Sequence, residues 1–94
     1  MAIFTANRAS SDSNVLYPDM LEIDGNKVVY HKGYVFGYKM TMILAKNIAS
    51  VSAHSGFFFA DIIIASKGGE YIRARGFNKS VAREAIRVIE AIIQ

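Results

Sequence analysis

The sequence predicts an α+β fold: a small, strongly curved meander of six or seven antiparallel strands closed by one C-terminal amphipathic helix. Three observations carry that expectation. From residue 20 onward, short β-rich runs are separated by turn residues at regular spacing. Residues 57–75 then read as two strands joined by the turn Lys67-Gly68-Gly69. Finally Ala82, Ala85, Ile86, Ile89, Ile92 and Ile93 recur at the three- and four-residue intervals of one helical face, with Lys79, Arg83, Glu84, Arg87 and Glu90 opposite.

The elements follow in chain order. Residues 1–19 hold most of the loop chemistry, with Asn7, Ser10 to Ser13, Asn14 and the only proline, Pro18. This N-terminal part is expected to be irregular around residues 10–14, with residues 2–6 adding an edge strand or docking on the body. The domain proper is expected over residues 20–94. Its first strand is 20–23, and Asp24-Gly25-Asn26 supplies a tight turn. Residues 27–33 form the second strand, and Gly33 and Gly37 bracket Tyr34-Val35-Phe36 as a hairpin tip.

In the third strand, 38–45, Tyr38, Met40, Met42 and Leu44 share one face and Lys39, Thr41 and Ile43 the other. The first set is the expected core face. After the short connection Ala45-Lys46-Asn47, residues 48–55 carry Val51 and Ala53 on one side and Ser50, Ser52 and His54 on the other. The next strand, 57–66, places Phe58, Ala60, Ile62 and Ile64 on one face and Phe59, Asp61 and Ile63 on its reverse. In 70–75, Ile72 and Ala74 oppose Tyr71, Arg73 and Arg75; Asn78 is then placed to cap the helix.

Ninety-four residues make one domain near the lower limit for a core without metals or disulfides. An apolar fraction of 52% and a mean hydropathy of +0.22 are high for so short a chain, so part of the apolar surface is expected to face a partner. With no cysteine, disulfides and thiolate metal sites are excluded. The N-terminus lacks the apolar run of a signal peptide, and no stretch approaches the length of a spanning helix, so a cytoplasmic protein is expected. The net charge of +3 is a mild excess, and its basic residues are scattered, so nucleic acid is a disfavoured partner.

The order of parts resembles the bacterial pleckstrin-homology-like (PH-like) domain over residues 21–93. The matching features are Leu21-Glu22-Ile23 with its Asp24-Gly25 turn, the hairpin ending in Gly33-Tyr34-Val35-Phe36-Gly37, and Thr41-Met42-Ile43-Leu44. Ile48-Ala49-Ser50-Val51, the run from Ile62 to Glu70, Gly76-Phe77 and the closing helix complete it. The resemblance implies a PH-like curved antiparallel β-barrel, one open end plugged by the helix, in a non-enzymatic and often oligomeric module. Eukaryotic relatives often hold phosphoinositides through a basic motif around the first strand pair. Here that loop is Asp24-Gly25-Asn26-Lys27, a single cation beside an acid, and no such site is carried over.

Period-two geometry turns at least one aromatic of Phe57-Phe58-Phe59 and of the Tyr34–Phe36 tip away from the core. Phe57, Phe59, Ile63, Tyr34 and Phe36 are therefore the candidate interface, with self-association the preferred reading and a membrane-contacting tip a further one. Arg73 and Arg75, with Lys67 if the turn folds toward them, are the candidate site for an anion, lipid headgroup or nucleotide. Paired strand arginines are otherwise ordinary surface. No catalytic, metal or cofactor site is assigned. His31 and His54 could meet across the sheet but make too few ligands, Ser50, Ser52 and Ser55 lie in no nucleophile motif, and Gly68-Gly69 is a turn rather than a phosphate loop.

Overall fold

The computed structural model describes residues 2–6, 18–34 and 37–93. Seven strands and one α-helix lie among them: β1 (Ala2–Thr5), β2 (Met20–Ile23), β3 (Lys27–Tyr34), β4 (Gly37–Leu44), β5 (Ile48–Ser55), β6 (Phe59–Ser66), β7 (Tyr71–Asn78) and α1 (Lys79–Ile92). The stretch 10–14 and the tip residues Val35 and Phe36 lie outside the described residues, as does the side chain of Tyr34.

The strands form two antiparallel sheets, β1-β2-β3-β4 and β5-β6-β7, which are not closed into the expected barrel. The ladder is interrupted where the 3₁₀ turn Ala45–Asn47 redirects the chain between β4 and β5. Single bonds bridge that corner instead. The Ala45 amide donates to the Asn26 carbonyl at 2.7 Å and the Lys67 amide to the Asn47 carbonyl at 2.8 Å.

Register explains which residues enter the core. In the first sheet Ile43, Val28, Ile23 and Ala2 stand in one cross-strand row, and Thr41, Tyr30, Leu21 and Phe4 in the next. Leu21, Ile23, Val28, Tyr30 and Ile43 of these rows pack on Ala60, Ile62, Ile64, Ile72 and Ala74 of the second sheet. Tyr38, Met40, Met42 and Leu44, the expected core face of β4, therefore point the other way: Met40 is 65% and Met42 56% exposed, while Ile43 is buried. Alternation defines two faces but does not say which is inside; the alignment of Ile43 with Val28 and Ile23 decides it.

In the second sheet Phe58 is not a strand residue. β6 begins at Phe59, and Phe57 and Phe58 fill the turn above it, 92% and 77% exposed. β7 continues past the expected end at Arg75, through Gly76 and Phe77 to Asn78. A bulge at that point sets Arg75 and Gly76 opposite Asp61, between the pairs Ala60–Phe77 and Ile62–Ala74. Gly76 has φ 80°, in the left-handed region that glycine enters without steric penalty.

Helix α1 closes the core with Ala82, Ala85 and Ile89 fully buried and Ile86, Ile92 and Ile93 packed on the cluster's margin. Burying a single isoleucine such as Ile89 contributes about 1.5–3 kcal/mol, so this one face anchors the helix. Asn78 takes the N-cap position, without the side-chain cap hydrogen bond that the sequence suggested.

Candidate functional site

Three features of the surface and seam stand out, and each is set by strand register. The outer face of the first sheet carries the row Ile3–Glu22–Val29–Met42 and, beside it, Thr5–Met20–His31–Met40, followed by Tyr38 at the β3–β4 end. An antiparallel sheet with one face in the core ordinarily turns polar residues outward. Here Ile3 is 57% exposed at one margin, and Met40 and Met42 stand at the other. Glu22 and His31 are the polar centre of the face, with His31 Nε2 3.9 Å from Glu22 Oε1 and the His31 ring edge-on to Tyr38 at 6.3 Å. β4 has no further strand beside it among the described residues, and Lys39 is its only charge.

The second feature is the β5–β6 turn. The Gly56 amide donates to the Phe59 carbonyl at 2.8 Å, closing a tight loop whose two central residues are Phe57 and Phe58. Their rings lie 5.9 Å apart and tilted by 40°, forming one apolar projection. Phe59 and Ile63, also expected at an interface, are half-buried on the outer face of β6.

The third is a pair of buried carboxylates, Asp19 at the seam between the sheets and Asp61 within the second sheet. Asp19, 1% exposed, accepts from the Tyr30 hydroxyl at 2.7 Å and the Arg75 amide at 3.2 Å through Oδ2, and from the Gly33 amide at 3.0 Å through Oδ1. Burial, reinforced by that hydrogen bond to Asp19, pushes the Tyr30 phenol well above its ordinary range, and Arg75 opposes the shift. Asp61 accepts from Arg73 Nε at 2.9 Å and from the Gly76 amide at 3.3 Å, and Arg73 Nη2 lies 2.7 Å from the same carboxylate.

This third feature changes the setting of the arginine pair. Arg73 is engaged by Asp61, and Arg75 is half-buried with its charge acting on Tyr30. Lys67 sits in the exposed β6–β7 turn. The two histidines stand on different sheets, His31 on β3 and His54 on β5, so they do not meet. Among the described residues no cluster of three or more His, Cys, Asp or Glu side chains could hold a metal ion. Nor is any described helix long and apolar enough to cross a membrane.

Sequence reasoning passed over Asp19 and placed Asp61 only on the reverse face of its strand. The available signal was an acid inside an otherwise apolar strand, between Ala60 and Ile62, and another beside the sole proline. Buried acids of this kind need several donors, which a bulge and a strand junction supply.

A two-sheet β domain closed by a C-terminal helix, with apolar surface turned outward and its buried acids committed to backbone amides, defines a small binding module. The chain belongs to the bacterial PH domain family, whose sequence profile matches residues 7–91. Members of that family are binding modules in general and typically non-catalytic. No curated protein and no solved structure matches the chain.

Proposed function

We propose that this domain is a non-catalytic assembly module of the cytoplasm that binds a second copy of itself through the outer face of the four-stranded sheet. The observation that carries the reading is the exposure of Ile3 at one margin of this face and of Met40 and Met42 at the other, on either side of Glu22 and the buried Val29. Two such faces related by a two-fold axis present the same patch to one another, so methionines from one copy fill the relief of the other. Methionine suits that role because its unbranched thioether adapts to an irregular partner surface.

The anion-binding alternative through Arg73, Arg75 and Lys67 has less support, since the Arg73 guanidinium already neutralises Asp61. Static light scattering across a concentration series tests the assembly. The wild type is expected above monomer mass, and the Met40→Lys, Met42→Lys double variant at monomer mass with an unchanged circular dichroism spectrum. A wild type that stays monomeric at every concentration ends this reading.

A further inference from the structure

The Phe57–Phe58 turn belongs to the other sheet and is left unexplained by assembly through the first. Folding alone gives no reason for it. Two-residue hairpin turns favour Asn-Gly or Asp-Gly in mirror-image geometry. This one holds two phenylalanines, neither with a positive φ, at 92% and 77% exposure.

The surroundings of the turn are cationic. A shallow cleft of about 140 Å³ between the hairpin and α1 is lined by Ser55, Ala60, Lys79 and Arg83. Lys79 and Arg83 stand one helical turn apart, both exposed. Lys79 is the first residue of α1, where the helix dipole favours an acid, and the first turn contains none. Residues 48–60 and 76–83 include no Asp or Glu. The acid paired across the ladder with His54 is Asp61, which is held by Arg73, and Glu84 is taken by Arg87.

We infer that this end of the molecule docks on an anionic lipid surface, with Phe57 and Phe58 entering the boundary between headgroups and acyl chains while Lys79 and Arg83 rest on the anionic headgroups. The tip is convex, so it needs a partner that deforms around it, and its rim is positive, so that partner carries negative charge above an apolar layer. A bilayer containing anionic lipid has both properties. Each phenylalanine contributes apolar area, and each cation contributes an attraction that salt weakens.

Co-sedimentation with vesicles tests this. The wild type is expected to bind vesicles of phosphatidylcholine mixed with phosphatidylglycerol, to bind pure phosphatidylcholine weakly, and to be released by salt. Phe57→Ser with Phe58→Ser should lower partitioning by tenfold or more, on the order of the loss of two apolar anchors. Lys79→Glu should lower it by roughly fivefold. All four side chains named are exposed, so the variants keep the fold. Absence of binding to phosphatidylglycerol vesicles at low ionic strength overturns the inference, as does full binding by the double phenylalanine variant. Loss of the wild-type mass in light scattering by that same variant assigns the tip to self-association and also overturns it.

Discussion

Asp19 and Asp61 accept hydrogen bonds from the backbone amides of consecutive residues, Arg75 and Gly76, at 3.2 and 3.3 Å. The β7 bulge takes these two residues out of regular register with β6, and each amide then turns to a different buried acid. Asp61 lies within the sheet, directly across from the bulge. Asp19 precedes β2 and also holds Tyr30 and Gly33 of β3. The Arg75 amide is thus a point where Asp19 fastens the two sheets, while Asp61 ties β6 to the β7 bulge within one sheet, and a carboxylate does there what strand ladders do elsewhere.

Asp19→Asn is expected to lower stability by about 2–4 kcal/mol, because an amide presents one donor to a cage that consists of donors and leaves at least one of them unsatisfied. Urea unfolding monitored by circular dichroism at neutral pH checks it. The midpoint should fall with little change in the slope, since the fold and its buried area are retained.

Tyr30 makes the same cage sensitive to alkali. Its phenol is raised above the ordinary value of 10.0 in the folded protein, first by burial and then by Asp19. The folded state therefore keeps a proton that the unfolded chain releases. The resulting stabilisation is complete below pH 10.0 and declines as pH rises above it. Tyr30→Phe should lower stability by about 1–2 kcal/mol at neutral pH. The gap between wild type and variant in urea titrations should stay constant up to the ordinary phenol value and narrow beyond it.

Much of this architecture was readable from the amino-acid order because glycine, asparagine and alternating apolar residues act locally. The Asp24-Gly25-Asn26 and Lys67-Gly68-Gly69 turns, the buried Ile72 and Ala74, and the α1 stripe through Ile89 follow from short-range rules. Which face of β4 turns inward was not readable. Met40 and Met42 are apolar as well as Ile43, and only pairing with Val28 places Ile43 in the core. Asp19 was invisible for a related reason: its donors come from residues 30, 33 and 75. No spacing along the chain records that meeting. Phe57 and Phe58 drew notice as aromatics, but their place in a turn rather than a strand depended on where the β6 ladder starts.

Gly76→Ala tests the bulge without touching a carboxylate. At φ 80° a Cβ meets the neighbouring carbonyl, and the strain is roughly 1–2 kcal/mol. The same substitution at Gly25, which has open space around it and no positive φ, should change stability little. Thermal unfolding of the two variants side by side separates a conformational demand at residue 76 from a general effect of removing glycine.

Arg73→Gln distinguishes a structural arginine from a ligand-binding one. Arg73 is 50% exposed on its side chain and Asp61 only 11%, so the pair lies between a surface bridge and a buried one. Removing the cation leaves Asp61 with the Gly76 amide and a weaker side-chain donor, and should lower stability by about 1–2 kcal/mol after allowance for solvent screening. If the guanidinium serves Asp61 alone, inorganic phosphate raises the melting temperatures of wild type and variant equally. A stabilisation by phosphate that appears in the wild type and disappears in Arg73→Gln would restore the anion site on β7. The double variant with Asp61→Asn completes the cycle: its loss should be smaller than the sum of the two single losses, because the second substitution removes a charge that the first has already left without its partner.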